Sequence, residues 1–270
     1  MIHYTDQMGF QGTLPAPPQR IISLVPSQTE LLFDLGLAER IVGITKFCIH
    51  PKERVGTVAK IGGTKQFKME QIAALQPDLI VGNKEENYQE GIEALRQQYP
   101  VWMSDIQDLP QALAMIEAVG ALTDTLAQAQ KIAIHIQKSF AMLEAYTANQ
   151  APAKPLRVAY LIWRKPYMAA GGATFIHHLL ERCAYENVFA AQERYPAITE
   201  AMLQEAAPDE IFLSSEPYPF GQKHIAELQA YCPQARIRLV DGELFSWYGS
   251  RLQKSVPYFL DLLKESREVD

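Results

Sequence analysis

The stretch from Thr123 to Asn149 constrains the fold of this chain more than any other segment. It contains no Pro or Gly, and its apolar residues recur at alternating steps of three and four: Leu126, Ala129, Ala133, Ile136, Phe140 and Leu143. That spacing places them on one face of an α-helix. Thr123 or Asp124 is predicted as the N-cap, and Pro152 and Pro155 prevent continuation beyond the far end.

Such a helix is about 40 Å long, which exceeds the width of a small domain. One alternative is a long helix packed on a single domain. We instead predict that the helix joins two lobes, because strand and helix signals alternate on both sides of it, as in proteins with parallel sheets.

Before the helix, the sequence predicts strands and helices at Arg20–Val25, Ser27–Gly36, Ile41–Ile44, Met69–Leu75, Leu79–Gly82, Tyr88–Gln98 and Val101–Trp102. Ser27 and Glu30 have the spacing of a capping box at the start of the first helix. After the long helix, the predicted elements are Arg157–Ile162, Phe175–Arg182, Glu200–Ala206, Ile211–Leu213, Lys223–Tyr231, Arg236–Val240 and Leu252–Lys264.

An internal repeat supports duplication of the lobe. Ile72–Ile80 aligns with Leu203–Ile211 at an offset of 131 residues, and both segments contain Pro-Asp. The same offset aligns Glu85 with Glu216. The predicted fold is therefore two similar α/β lobes with mainly parallel sheets, bridged by one long α-helix, with a ligand cleft between the lobes. The predicted boundaries are 1–120 for the N-terminal lobe, 121–150 for the linking helix and 151–270 for the C-terminal lobe.

The composition excludes several classes of protein. With 48% hydrophobic and 21% charged residues, the chain is globular rather than disordered. A net charge of −6, without a run of Lys or Arg, argues against a nucleic-acid partner. No apolar run approaches the roughly 20 residues that membrane insertion as a helix requires.

The first residues and the cysteines bear on localisation. Residues 1–18 lack the apolar centre of a secretory signal, so the chain as given is expected to stay in the cytoplasm, unless a leader has been left out of the sequence. Three cysteines cannot all pair, which fits a reducing compartment.

The candidate ligand-binding residues follow the predicted strands, because ligands of open parallel sheets bind beyond the carboxyl ends of the strands. Arg164, Arg194 and Arg251 would suit an anionic ligand, with surface ion pairs as the alternative role. Five aromatic residues would stack on a planar or hydrophobic ligand: Phe47, Trp163, Tyr218, Trp247 and Tyr248. The alternative for both tryptophans is packing between the lobes. The remaining predicted ligand-binding residues are Lys65, Glu85, Glu86, Tyr167, Glu216 and Phe220.

A direct metal site is a separate hypothesis. Cys48 and His50 supply a thiol and an imidazole, both of which bind zinc, copper or iron. The spacing of the two residues is common in ordinary loops, and further ligands would have to come from Glu85, Glu86, Glu216 or His224. No catalytic residues are predicted, because no nucleophile–base motif is present. A metal or a metal chelate is predicted as ligand, and no resident cofactor is.

Several motifs carry a resemblance to a known family: Arg20–Glu30, Ile41–Thr45, Ile61–Thr64, Met69–Glu70 and Pro77–Ile80. From Arg20 onward the chain resembles the cobalamin- and iron-siderophore-binding proteins of ABC importers. Phe-Cys-x-His-Pro and Trp-Tyr-Gly-Ser-Arg mark a subgroup, and Phe47 matches a position where cobalamin binders place an aromatic ring. The resemblance implies a substrate-binding protein that is not an enzyme. It implies a corrinoid, ferric siderophore or haem-like chelate as the ligand, and an ABC permease as the partner.

Two features depart from that family. Its members dock on the permease through one surface Glu per lobe; Glu70 occupies the first position, but Ala201 occupies the second, with Glu200 one residue away. Its members are typically periplasmic or exported, whereas the chain as given shows no export signal. A second hypothesis is therefore a cytosolic metal-handling protein or enzyme on the same scaffold, using Cys48, His50 and the cleft glutamates. A third, a scaffold for other proteins, would leave the aromatic residues unexplained.

Overall fold

A computed structural model describes residues 1–150 and 154–267 of the chain, apart from the side chain of residue 267, and the chain divides into two compact units. Unit 1 comprises Met1–Ile106, Pro110–His135 and Tyr248–Arg251. Unit 2 comprises Gln107–Leu109, Ile136–Trp247 and the residues from Leu252 onward. Each unit is therefore built from segments that are separate in sequence. The three-part division at residues 120 and 150 stays a prediction.

Unit 1 contains a five-stranded parallel sheet, whose strands lie in the order Ala59–Lys60, Ile41–Ile44, Ile21–Ser23, Leu79–Asn83 and Val101–Ser104. Its central strands are short apolar runs, and Ile22, Ile80 and Val101 are fully buried, as expected for strands covered on both faces. The elements of the first 106 residues are β1 Ile2–Thr5, β2 Gln11–Leu14, β3 Ile21–Ser23, α1 Pro26–Asp34, a 3-10 turn Ala38–Arg40, β4 Ile41–Ile44, α2 Lys52–Val55, β5 Ala59–Lys60, β6 Gly62–Gly63, β7 Gln66–Phe67, α3 Met69–Leu75, β8 Leu79–Asn83, α4 Gln89–Arg96 and β9 Val101–Ser104. Two helices follow, α5 Leu109–Leu122 and α6 Leu126–Asn149.

Unit 2 contains a mixed sheet whose main path is Ala197–Ile198, Tyr167–Ala169, Arg157–Trp163, Glu210–Ser214 and Arg236–Val240. A further short strand, Glu186–Asn187, pairs with the start of Arg157–Trp163. The two pairs that involve Tyr167–Ala169 are antiparallel, and the other pairs are parallel. The elements are β10 Arg157–Trp163, β11 Tyr167–Ala169, α7 Phe175–Arg182, β12 Glu186–Asn187, β13 Ala197–Ile198, α8 Glu200–Ala206, β14 Glu210–Ser214, α9 Gln222–Tyr231, β15 Arg236–Val240, α10 Gly242–Ser246 and α11 Leu252–Arg267. The predicted class, two α/β units with mainly parallel sheets, is confirmed.

The Pro-Asp repeat has the same geometry in both units. Asp78 accepts hydrogen bonds from the backbone amides of Gln19 and Arg20, at 2.7 and 2.8 Å. Asp209 likewise accepts from the amide of Arg157, at 2.8 Å. Helices α3 and α8 each end in a left-handed residue, with φ of 46° and 43°. Each aspartate thus fixes the start of the first strand of its sheet, which explains why Pro-Asp is repeated in the sequence.

The long helix begins three residues later than predicted, and neither proposed N-cap caps it. Thr123 instead closes α5, with its amide and hydroxyl both bonded to the carbonyl of Val119, and Asp124 has a left-handed φ of 59°. The face is as predicted from Ala129 to Leu143, but Leu126 is 41% exposed. A Cβ at Gly120 of α5 would lie 2.3 Å from the Cβ of Ala129, so this glycine permits close helix packing.

Further elements differ from the sequence expectation. Helix α1 begins at Pro26, and its N-cap residue is Val25, which makes no side-chain capping hydrogen bond. Ser27 therefore lies inside the helix, and the predicted capping box of Ser27 and Glu30 is wrong. The antiparallel hairpin β1–β2 and helix α5 were not predicted. Within the described residues, no helix has both the length and the apolar content that a membrane crossing requires.

Candidate functional site

Phe47 is the most exposed aromatic side chain in the loops that follow the strands of unit 1. It lies in the loop after β4, with half of its surface exposed, at 50%. Its ring packs over Gly63, where an added Cβ would be 3.3 Å from the ring, and the Lys46 ammonium is 5.0 Å from the ring centroid. The loop therefore presents an aromatic face flanked by a cation.

Cys48, the next residue in the chain, is buried. Its Sγ lies 3.1 Å from the Thr29 hydroxyl and 3.2 Å from the Thr45 hydroxyl. Burial raises the pKa of the Cys48 thiol, so the neutral form, which is a poor metal ligand, is favoured. His50 is half-buried. In residues 1–150 and 154–267, no group of three or more His, Cys, Asp or Glu side chains could hold a metal ion, so Cys48 and His50 gain no third ligand there.

The loop after β8 is fixed by two asparagines. The Asn83 amide donates to the side-chain oxygen of Asn87 at 2.9 Å, and the Asn87 side chain donates to the Thr64 carbonyl at 3.1 Å. The Lys65 ammonium donates to the Glu85 carbonyl. Lys65 and Glu86 are exposed, and Glu85 is half-buried. The structure thus brings three predicted ligand-binding residues onto adjoining loops of unit 1.

Tyr248–Arg251 belongs to unit 1 although it follows the strands of unit 2 in sequence. The Arg251 guanidinium forms two hydrogen bonds with Glu30, at 2.7 and 2.8 Å. A Cβ at Gly249 would lie 2.8 Å from the Ser27 carbonyl oxygen, so close approach requires glycine there. Tyr248 and Arg251 are both buried. Their predicted contact with a ligand stays a prediction, and the guanidinium already has a carboxylate partner.

In unit 2, Arg164 follows β10 and is held by a carboxylate on α9. Its Nε and Nη2 donate to Glu227 at 3.1 and 2.6 Å, and the Tyr167 hydroxyl donates to the same carboxylate at 2.6 Å. Hydrogen bonds from Arg164 and Tyr167 lower the pKa of Glu227, and the Glu227 hydrogen bond raises the pKa of Arg164. The pair is therefore ionised and carries no net charge.

An aromatic group adjoins this ion pair. Trp163 is 40% exposed, and its ring meets Tyr218 edge to face, with centroids 5.7 Å apart. Tyr218 in turn packs against Phe220 at 4.8 Å and His224 at 5.4 Å. Phe220 and His224 are buried, so they form the buried part of the aromatic group, against which Tyr218 packs. The exposed surface of the group is the Trp163 ring and the half-buried Tyr218.

In unit 2, Trp247 and Glu216 are joined by a hydrogen bond between their side chains. The Trp247 indole N–H and the Ser246 hydroxyl both donate to Glu216 Oε1, each at 2.7 Å. Trp247 is only 6% exposed. Its ring therefore packs inside the protein, and its predicted stacking on a ligand stays a prediction.

Arg194 lies in the loop before β13 with a left-handed φ of 63°. Its backbone is held by reciprocal hydrogen bonds, from Gly171 N to Arg194 O and from Arg194 N to Gly172 O, both 2.8 Å. A Cβ at Gly171 would lie 2.1 Å from the Gln192 carbonyl oxygen, so this loop packs directly on the glycine pair. The predicted role of Arg194 in ligand binding stays a prediction.

The two predicted docking glutamates are exposed at the first turns of equivalent helices. Glu70 lies in the first turn of α3, and Glu200 is the first residue of α8. The Thr199 side chain caps α8 by accepting from the Met202 amide at 3.2 Å. Glu200 also hydrogen-bonds the Tyr231 hydroxyl, which raises the pKa of that tyrosine.

Comparison with known proteins decides the family. The periplasmic binding protein family matches residues 21–231. This chain belongs to that family. A vitamin B12-binding protein of Vibrio parahaemolyticus serotype O3:K6 is 28% identical over 200 residues, which cover 73% of this chain and 71% of that protein.

Solved structures show the same fold for this periplasmic binding protein. The vitamin B12 binding protein BtuF of Vibrio cholerae superposes with a TM-score of 0.81 and 23% identity, over 94% of this chain and 99% of that one. The haem-binding protein RhuT from Roseiflexus sp. RS-1 superposes with a TM-score of 0.80 and 20% identity, over 92% and 98%. The family match confirms two predictions, that the chain is a binding protein and that it is not an enzyme.

Several residues that organise the site of this periplasmic binding protein were not predicted. Glu227 and Ser246 were missed, Glu30 was assigned to a helix cap, and His224 was considered only as a metal ligand. The i, i+3 spacing of His224 and Glu227 on α9 was a usable signal, because it places both on the same helix face.

Proposed function

We propose that this protein binds a metal chelate of the corrinoid, ferric siderophore or haem-like class and delivers it to an ABC permease. One observation carries the proposal: Phe47 in unit 1 and Trp163 in unit 2 are exposed aromatic side chains at the carboxyl ends of β4 and β10. Strand β4 pairs in parallel with β3, and β10 pairs in parallel with β14. Ligands of such sheets bind at those ends. Large exposed aromatic faces suit a flat ligand with an extensive apolar surface.

The names of the related proteins support the class of ligand. The compared relatives are named for vitamin B12 and for haem, both of which are large macrocyclic metal chelates. The Arg164–Glu227 pair is internally neutral, which suits a chelate bound mainly by its faces. The cleft predicted from the sequence remains part of this proposal.

The docking proposal rests on Glu70 and Glu200, which are exposed in the first turns of equivalent helices of the two units. Ala201, at the position expected from the family, is exposed one residue further along α8. Glu200 therefore replaces the missing docking carboxylate.

Tryptophan fluorescence tests the ligand class. Of the three tryptophans, Trp102 and Trp247 are buried and Trp163 is 40% exposed. Cyanocobalamin, haemin and a ferric trihydroxamate would each be titrated into the purified protein, and native mass spectrometry would identify any molecule that co-purifies. We expect one chelate to quench the fluorescence at a stoichiometric ratio and to raise the melting temperature. The proposal would be contradicted if no chelate quenched the fluorescence or raised the melting temperature while a bare metal ion raised it.

A further inference from the structure

Tyr218 is hydrogen-bonded to a buried histidine of unit 2. Its hydroxyl is 3.2 Å from Nε2 of His224.

The tautomer of His224 decides the direction of this hydrogen bond. The backbone N–H of Gly221 points at His224 Nδ1 at 2.8 Å. The Gly221 carbonyl oxygen is 3.2 Å from the same nitrogen. The N–H contact is shorter and a backbone N–H can only donate, so Nδ1 accepts and carries no proton. In the neutral ring the proton is then on Nε2, which donates to Tyr218. His224 is 2% exposed and packed against Tyr218 and Phe220, which holds the ring in this orientation.

The Tyr218 oxygen thus accepts a hydrogen bond from His224 Nε2. Its own O–H proton must point elsewhere, and no acceptor for it is found in the described part of the chain. Hydrogen bonds that polarise a hydroxyl strengthen it as a donor. Tyr167 differs from Tyr218 in this respect, because its hydroxyl already donates to Glu227 at 2.6 Å.

We propose that Tyr218 is a dedicated hydrogen-bond donor to the ligand, and that it selects chelates with an amide carbonyl or carboxylate oxygen at the edge that meets Trp163. This inference rests on the proposed function of the same site. Trp163 supplies the aromatic face, Tyr218 supplies the directional contact, and His224 is the residue that positions the hydroxyl. Because the charge of Arg164 is balanced by Glu227, the oxygen is recognised by hydrogen bonding rather than by net charge. Affinity at this contact should therefore depend little on salt.

The first experiment needs no ligand. Long-range proton–nitrogen NMR of the purified protein would assign the His224 ring, with His224→Asn to identify the signal. We expect protonated Nε2 and unprotonated Nδ1 at pH 7.5. A ring protonated at Nδ1 would overturn the inference, because Nε2 would then accept the Tyr218 proton.

The second experiment measures affinity for cyanocobalamin, haemin and a ferric trihydroxamate. Tyr218→Phe removes only the hydroxyl and should weaken the best-binding chelate about tenfold. His224→Asn keeps an acceptor for the Gly221 amide but removes the donor to Tyr218, so a smaller loss is expected. Tyr231→Phe is the matched control: it removes a hydroxyl that bonds Glu200 in the same unit, and affinity should not change.

Two outcomes of the affinity experiment would overturn the donor role. One is an unchanged affinity in Tyr218→Phe. The other is a visible charge-transfer band with a ferric chelate that disappears in Tyr218→Phe, which would mean that the oxygen binds iron instead of donating a proton. If no chelate binds wild type while His224 is protonated at Nε2, the chelate function fails and the donor geometry is still supported. The two proposals therefore fail separately.

Discussion

Arg251 forms a bidentate ion pair with Glu30, a residue 221 positions earlier in the chain. Nε donates to Oε2 at 2.7 Å and Nη2 donates to Oε1 at 2.8 Å. Arg251 is 8% exposed and Glu30 is 5% exposed, so both charges are almost completely removed from water. The pair fixes a late segment of the chain to helix α1 within unit 1. The contact explains why a carboxylate in the first turns of α1 makes no helix cap.

Removing one member of this pair should destabilise the protein strongly. A buried charge left without its partner costs about 3–5 kcal/mol. Arg251→Met is therefore expected to lower the free energy of unfolding in urea by about that amount. The double variant Glu30→Gln with Arg251→Met should recover part of the loss, because no isolated charge remains.

The matched control is an exposed pair in unit 2. Lys264 and Asp261 are 3.0 Å apart and more than half exposed. Lys264→Met should change the free energy of unfolding by less than about 1 kcal/mol. Equal losses from Lys264→Met and Arg251→Met would refute a special role for the buried pair.

Truncation of either exposed aromatic side chain should weaken chelate binding without affecting stability. Phe47→Leu and Trp163→Leu each remove an aromatic face that contributes about 1 kcal/mol or more to stacking, so affinity should fall roughly fivefold or more. Isothermal titration with the best-binding chelate measures the change. Phe10→Leu is the control, because Phe10 is a similarly exposed ring, at 41%, in the loop of the β1–β2 hairpin. A similar loss of affinity in Phe10→Leu would show that the effect is not specific to these loops.

The cysteines should be unreactive in the folded protein. Cys48, Cys183 and Cys232 are buried and unpaired with one another, and burial raises the pKa of each thiol. At pH 8 an aromatic disulfide reagent should label none of them in the native state and all of them in guanidinium chloride. Rapid labelling of Cys48 in the native protein would contradict its neutral, buried state.

The same raised pKa values set a pH dependence of stability. Above about pH 8.5 the thiols of the unfolded chain lose protons while the folded chain keeps them. The unfolded state then binds fewer protons, so the free energy of unfolding should fall as pH rises in this range. Replacing the three cysteines by Ala should reduce the slope of that fall. An unaltered slope would assign the dependence to other groups.

Charge reversal at both docking positions should prevent association with the permease. A photo-crosslinking residue at position 70 or 200 is expected to yield a crosslink to the transmembrane subunits of an ABC importer in cells. In the Glu70→Lys, Glu200→Lys double variant, with the crosslinker beside Glu70, that crosslink should disappear because the complementary charges are lost. Glu205→Lys, on the exposed face of α8, is the control. Crosslinks that persist after double reversal would exclude these two glutamates as docking residues.

Local pattern determined much of this fold. The bounds of Phe175–Arg182, Glu200–Ala206 and Arg236–Val240 follow from periodicity and turn residues alone. The Pro-Asp repeat was readable because Asp78 and Asp209 each follow a helix and accept a hydrogen bond from the backbone that leads into the first strand of their own sheet. Such features depend on residues that are neighbours in sequence or in one sheet.

Only the tertiary structure decided which partners the polar side chains have. Glu30 looked like a capping residue, yet its partner lies 221 residues away, and Glu227 binds an arginine 63 residues earlier. Cys48 looked like a metal ligand, but burial raises the pKa of its thiol and favours the neutral form, although the hydrogen bonds with Thr29 and Thr45 act in the opposite direction. A charged or polar side chain has many possible partners of equal chemistry along the chain. Which of them it meets, and whether water is excluded there, is set by how distant segments pack.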